Sequence, residues 1–197
     1  MPTLKRLEKI AAVITARQEG IVVLEDLYDP HNAAAILRTM DGFGFQTAYF
    51  IFDKQKKYNP KKVGKSSSSS ANKWITCEIF PSTKDCYESL KKDGYTVLAT
   101  ALRHQNSLDL YTSELPQTPK IALVFGNEHS GLSPFATNHA DAIVHLPMRG
   151  FVESFNVSVM AALVIGELSR RRIGWGMKQY LLPQEKRDTL EKVWLGA

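Results

Sequence analysis

Apolar positions recur along this chain with two spacings, and the two alternate. Leu4, Leu7, Ile10, Ala11 and Ile14 fall at helical intervals, with Lys5, Glu8 and Lys9 between them, which predicts an amphipathic helix over 3–18. Gly20 reads as its stop. The apolar block 21–25 then reads as a buried strand. Asp29 and Pro30 are helix-start signals, with proline suited to the first helical position. Ala33, Ile36, Leu37 and Met40 give that helix one apolar face, Arg38 points away from it, and Gly42 and Gly44 close it. A second strand is expected over 46–52. Strand, helix and strand with a crossover of this length predict a parallel pair.

The same alternation continues. Strands are expected over 74–80, 95–102, 120–126 and 142–147, with helices over 82–93 and 134–139 between them. Cys86, Tyr87 and Leu90 should face inward from the first of these helices, and Gly94 should cap it. Residues 105–119 are polar and irregular, and a last helical stretch covers 184–194. The helix after Asn156 is apolar nearly all round, through Val157, Val159, Met160, Ala161, Ala162, Leu163, Val164, Ile165 and Leu168, which predicts burial rather than amphipathic exposure. Alternating strands and helices of this kind make an α/β fold with a mainly parallel sheet.

Composition narrows the class. With 197 residues, 44% of them hydrophobic and 23% charged, the chain suits one globular domain with short appendages. The longest apolar run is broken by Asn156 and Glu167, so no membrane span is expected. The N-terminus lacks the continuous apolar core of a signal peptide. Cys77 and Cys86 fit neither a zinc site nor a disulfide framework, and the five histidines are scattered. A cytoplasmic protein without metal is the expectation.

Charge points to a partner. The net charge is +5, unevenly placed: Lys54, Lys56, Lys57, Lys61, Lys62, Lys65 and Lys73 lie in one segment without an acid, and Ser66–Ser70 run through it. Such a segment buries little. Arg170, Arg171, Arg172 and Lys178 form a second basic group. Both are footprints of a phosphate-rich partner, against the alternative of a merely solvated lysine-rich surface. Tyr58 could stack on a base, whereas core packing suits Trp74 better.

In a parallel sheet, ligands bind beyond the carboxyl ends of strands. Three such ends carry small or polar residues here: Thr100, the segment from Gly126 to Gly131, and the segment from Leu146 to Asn156. They form one site if their strands are neighbours. Ser154 and Asn156 stand where a helix should begin, each able to accept from free N–H groups of its first turn. An ordinary capped core helix would show the same local pattern. Neither a dinucleotide fingerprint nor a P-loop occurs, which argues against a nucleotide-dependent metabolic enzyme.

Three motifs, DPHNAAAILRT (29–39), LVFGNEHSGLS (123–133) and HLPMRGFVESFNVSVMAAL (145–163), resemble in order and spacing motifs 1, 2 and 3 of the SPOUT class of RNA 2′-O-methyltransferases. Within that class the chain is most similar to the TrmH family, on PHN in motif 1, the basic serine-rich segment before Trp74 and the tail GMKQYLLPQE. Members usually extend further at the C-terminus, and motif 3 here reads VESFN where SLN is usual, with Phe155 in place of a leucine.

The resemblance implies a SPOUT fold: a mostly parallel sheet flanked by helices, with a C-terminal deep trefoil knot, against the general absence of knots. It implies an N-terminal helix in 1–19, a methyltransferase domain over 20–171 and a tail over 172–197. It implies a homodimer through the motif 1 and motif 3 helices. S-adenosylmethionine would be held by Thr100, Leu102, Gly126, Leu146, Met148 and Phe155, and Asn32, Arg38, Glu128, Ser154 and Asn156 match the functional polar positions. Arg38 would bind a substrate phosphate and stabilise the developing alkoxide, since a guanidinium with a pKa above about 12 is a poor base. Asn32 would position Arg38 or the ribose, Glu128 would orient Asn32 or Arg38, and Ser154 and Asn156 would shape the methionine end. The partner implied is tRNA, at the D-loop guanosine, with ribosomal RNA as the alternative and neither DNA nor membrane expected. A non-catalytic RNA-binding protein of the same fold is the third reading.

Overall fold

The computed structural model describes residues 3–62, 71–102 and 106–196. The expected phosphate contact Lys65 and the serine run Ser66–Ser70 lie outside the described residues. In chain order the elements are α1 (Leu4–Thr15), β1 (Gln18–Glu25), α2 (Pro30–Phe43), β2 (Phe45–Ile51), a 3-10 turn (Ala71–Lys73), β3 (Thr76–Phe80), α3 (Thr83–Lys92), β4 (Thr96–Thr100), β5 (Leu108–Asp109), β6 (Ile121–Phe125), α4 (Pro134–His139), β7 (Ala142–His145), α5 (Val157–Gly176), a second 3-10 turn (Met177–Tyr180) and α6 (Gln184–Leu195).

Among the described residues the sheet has seven strands in the order β3-β2-β1-β6-β4-β7-β5. Every pairing within it is parallel. The central strands alternate between two cores, as side chains of a strand buried on both faces must. Val22, Leu24, Leu98, Leu123 and Phe125 point to one side, where they pack with Ile36, Leu37 and Met40 of α2 and Ala161, Val164, Ile165 and Leu168 of α5. Ile21, Val23, Val97, Ala122 and Val124 point to the other, against Cys86, Tyr87 and Leu90 of α3 and Ala136 of α4. A third cluster joins the two ends of the chain: Ile10 and Ile14 of α1 meet Leu182, Leu190 and Trp194, with Trp74 set edge-on against Trp194 at 5.1 Å.

Local chemistry explains the element ends. The Asp29 side chain accepts from the His31 N–H, Pro30 occupies the first turn, and Gly44 closes α2 at φ 82°, a left-handed conformation that costs glycine little. Ser82 and Ser133 cap α3 and α4 by accepting from the Asp85 and Ala136 N–H groups.

Three expectations are corrected. Gly20 does not stop α1, which ends at Thr15; it lies within β1 at φ 135°, where an added Cβ would come 2.8 Å from the Phe45 ring. The glycine answers a close approach between strands, not a helix end. The irregular stretch 105–119 contains β5 at the sheet edge. The helix α5 is not buried all round: Val159 and Ile173 are exposed, because only one side meets the sheet and α2. It also runs unbroken through position 171 to Gly176.

Candidate active site

The strands β6, β4 and β7 are consecutive in the sheet, so their carboxyl ends do converge. They frame a cavity of about 580 Å³ whose lining includes Thr100, Leu102, Gly126, Leu146, Met148 and Phe155, and also Glu128, Ser154 and Asn156. All six residues expected to hold a cofactor therefore share one wall system. The sheet supplies the floor: the Thr100 hydroxyl donates to the Val124 carbonyl at 2.9 Å, tying β4 to β6.

The loop after β6 shapes one side. Asn127 and Gly131 exchange backbone hydrogen bonds of 3.0 and 2.9 Å, and the Asn127 side-chain oxygen accepts from the His129 and Ser130 N–H groups. The loop is folded so tightly that a Cβ on Gly126 would lie 2.4 Å from the Gly131 carbonyl carbon and the Leu132 nitrogen. Those are backbone atoms, so no side-chain movement could make room. Beneath it the buried Glu25 carboxylate accepts from the Ser133 N–H at 2.8 Å, the Ser133 hydroxyl at 2.6 Å and the Thr83 hydroxyl.

Next to this cavity lies a second, of about 700 Å³, lined by Tyr28, Asp29, Asn32, Lys56, Lys57 and Tyr58 among others. Glu128, His129 and Asn156 line both cavities. On that shared wall the three motifs meet. Glu128 accepts from the Tyr28 N–H at 2.8 Å, the Asp29 N–H at 3.1 Å and Asn32 Nδ2 at 2.8 Å. Asn32 Oδ1 accepts from Asn156 Nδ2 at 3.1 Å. Asn156 Oδ1 accepts from the Ser158 N–H at 2.9 Å and so caps α5. Burial pushes the Glu128 carboxyl pKa up, but the hydrogen bonds from Asn32 and the Tyr28 and Asp29 N–H groups hold it below the ordinary carboxylate value. An ionised carboxylate only accepts. It therefore turns the Asn32 amide nitrogen towards itself, and that leaves the Asn32 oxygen facing Asn156.

Arg38 stands apart. It is exposed on α2 and lines neither cavity. Lys56 and Lys57 line the second cavity, while Lys54, Lys61 and Lys62 are exposed nearby in sequence. The second basic group is corrected. Arg172 is fully buried; it donates to Gln18 Oε1 at 2.7 Å, the Glu19 carbonyl at 2.6 Å and the Pro119 carbonyl at 3.0 Å, and packs over the Phe45 and Tyr180 rings. Arg171 pairs with Glu167 and donates to the Ser113 and Leu110 carbonyls. Arg172 is thus out of reach of a phosphate, Arg171 is half-buried and committed to the protein, and Arg170 is the exposed member, paired with Glu167. The three follow one another around a helix, so they cannot share a face. Tyr58 is likewise no free platform: its ring packs edge-on against Phe52 at 4.9 Å and its hydroxyl is buried.

Sequence reasoning did not single out Asn127, Tyr28 and His129, which line the cavities. Asn127 was legible, lying inside motif 2 as a side chain able to bond loop amides. Tyr28 and His129, paired edge-to-face at 5.6 Å, come together only because Glu128 draws residues 28 and 29 onto the motif 2 loop.

Comparison with known proteins bears on the family. The chain is 34% identical over 192 residues to the tRNA (guanosine(18)-2′-O)-methyltransferase of Thermus thermophilus, covering 95% of this chain and 93% of that one. It is 34% identical over 155 residues to the 23S rRNA (guanosine-2′-O-)-methyltransferase RlmB of Neisseria meningitidis, covering 78% of this chain and 59% of that one. Among solved structures, the A. aeolicus TrmH/SpoU tRNA modifying enzyme superposes with a TM-score of 0.82 at 29% identity, over 96% of this chain and 94% of that one. The AviRb methyltransferase of Streptomyces viridochromogenes, solved with AdoMet, shares the fold at a TM-score of 0.65 and 24% identity, over 88% of this chain and 63% of that one. With the SpoU rRNA Methylase family matching residues 19–166, and with motifs 1, 2 and 3 joined on one wall between two cavities, this chain belongs to that family.

Proposed function

We propose that this protein transfers a methyl group from S-adenosylmethionine to a ribose 2′-hydroxyl of tRNA, at the guanosine that the name of the Thermus thermophilus relative specifies. The observation that carries the reading is the Glu128–Asn32–Asn156 chain on the wall common to the two cavities. One cavity suits the methyl donor: Leu146, Met148 and Phe155 offer apolar surface for a base, and Ser154 and Asn156 offer polar groups. The other suits a nucleotide, with Lys56 and Lys57 for phosphate.

When bound, the donor supplies an electrophilic methyl on a positive sulfur. The protein's own part is positioning and charge. Asn32, oriented by ionised Glu128, stands at the junction where a hydroxyl and the methyl would meet. Methylation of the ribose oxygen would require its hydroxyl proton to pass to solvent, and a positive group near the oxygen would lower the barrier. Arg38 fills that role by binding a neighbouring phosphate and stabilising the alkoxide. Because Arg38 lines neither cavity in one subunit, RNA or a second subunit packed on α2 and α5 brings it to the oxygen. A homodimer is part of this reading. Phe43 of α2 and Val159 and Ile173 of α5, all exposed apolar side chains, support it. So is the trefoil knot, supported by the crossing from β6 past β4 to β7 and the return of α5 onto α2. A cytoplasmic location fits a tRNA substrate, and no helix among the described residues is long and apolar enough to cross a membrane.

The test is direct. Purified protein is incubated with unmodified tRNA and S-adenosylmethionine, and the RNA is digested and searched for 2′-O-methylguanosine by mass spectrometry, with Arg38→Ala alongside. A product that disappears in the variant supports the reading. Product on ribosomal RNA fragments but not on tRNA moves the substrate to the alternative. RNA binding without any product leaves a non-catalytic RNA-binding protein.

A further inference from the structure

At the end of β1, Asp26 holds φ 52°, a left-handed conformation uncommon outside glycine and tolerated best by asparagine and aspartate. The position is buried. Its side chain reaches across to the segment after β2, where Oδ1 accepts from the Asp53, Lys54 and Gln55 N–H groups at 2.8, 3.0 and 3.1 Å. Three successive amides converging on one carboxylate oxygen form a nest filled by a side chain of the protein itself. The residues that follow this nest directly are Lys56 and Lys57, on the wall of the second cavity. The same residue also holds motif 2: its carbonyl accepts from Asn127 Nδ2 at 2.7 Å, and Asn127 organises the loop of the first cavity. Its own N–H donates to the Ile51 carbonyl at 3.0 Å, fixing it between β1 and β2.

We infer that Asp26 is a positioning residue that sets the phosphate-binding wall of Lys56 and Lys57 in register with the motif 2 loop, so that the RNA backbone and the reacting centre are held at one fixed distance. This rests on the proposed RNA methyltransferase reading. Two flexible lysines at the root of an unanchored segment would lose conformational freedom on gripping a phosphate; fixing their backbone beforehand removes part of that cost.

The geometry provides its own controls. Asp26→Gly keeps the backbone conformation, which glycine adopts freely, and removes the acceptor. Asp26→Asn retains an oxygen at the Oδ1 position for all three N–H groups. The expected result for Asp26→Gly is a rise of about tenfold in KM for tRNA with kcat changed much less, and unchanged binding of S-adenosylmethionine in calorimetry. Asp26→Asn restores the KM to near the starting value. Hydrogen exchange at the amides of Asp53, Lys54 and Gln55 should be slow in the parent and Asn forms and fast in the Gly form, whatever the substrate proves to be. In a Lys56→Ala, Lys57→Ala background, Asp26→Gly should add no further loss of RNA affinity, because its effect passes through those lysines.

Equal losses in kcat and in cofactor binding would overturn the inference, since Asp26 would then act only on the motif 2 loop. A full additional loss in the lysine-free background would do the same. Failure of the parent protein to bind any RNA, with exchange protection intact, would instead overturn the functional reading and take this inference with it.

Discussion

Asn32 Nδ2 donates to Glu128 Oε1 at 2.8 Å, and this one bond decides which way the Asn32 amide faces. With nitrogen towards Glu128, the oxygen is presented to Asn156, whose own oxygen is turned to the start of α5. Three residues from three motifs thus have fixed donor and acceptor directions. Asn32→Asp reverses this logic by setting two carboxylates against each other. Its expected effect is a fall in kcat of about a hundredfold, comparable to losing a positioned polar group in a transition state, and a rise in the Glu128 pKa. Single-turnover methylation together with carboxyl titration by NMR checks both halves.

Gly126→Ala places a Cβ against the Gly131 and Leu132 backbone. The loop must move, and with it the wall of the first cavity. The expected outcome is loss of S-adenosylmethionine binding in calorimetry, with the secondary structure seen by circular dichroism retained.

Arg172 is a structural cation. Burial pushes its pKa down to about 10, so it remains charged at neutral pH, with Gln18 and two carbonyls as acceptors. Arg172→Ala leaves these groups unpaired in the interior and should cost on the order of 3 kcal/mol or more, read as a lowered urea midpoint. Arg170→Ala removes an exposed guanidinium while Arg171 still pairs with Glu167, and should lower the midpoint less than Arg172→Ala does.

Glu167 reports on acid stability. Hydrogen bonds from Arg170, then Arg171, outweigh its desolvation and hold its pKa at about 2, against an ordinary value of 4.5. A depressed folded pKa stabilises the protein fully above the unfolded value, and that contribution drains away as pH falls through the folded one. The contribution of Glu167 is therefore complete above about pH 4.5 and lost between there and about pH 2. Denaturant midpoints measured across this window should fall less steeply for Glu167→Gln than for the parent.

Lys56 and Lys57 supply affinity without sequence choice in the proposed complex. Replacing either with alanine should weaken tRNA binding and reduce the slope of log K against log salt by about one. Filter binding at several salt concentrations checks this, with an equal loss expected for tRNAs of different sequence.

The alternation of apolar blocks and helical spacings determined the α/β class, every central strand and the start of α2, because burial on two faces of a parallel sheet demands continuous apolar strands and Pro30 sets a helix start. The motif residues around Gly126 and Asn156 were legible for the same local reasons: a turn that needs glycine, and a helix end that needs a cap. What a linear pattern cannot carry is which side chains meet across the fold. Arg170, Arg171 and Arg172 are one basic run in sequence, yet the helix aims one at solvent and buries another beneath Gln18. Gly20 reads as a stop until Phe45 is seen beside it. The convergence of Glu128, Asn32 and Asn156 depends on β6 standing next to β1, and the nest around Asp26 on β2 lying on its other side. Those neighbours are separated by long stretches of chain, and only strand order, set by packing both faces of the sheet at once, brings them into hydrogen-bonding reach.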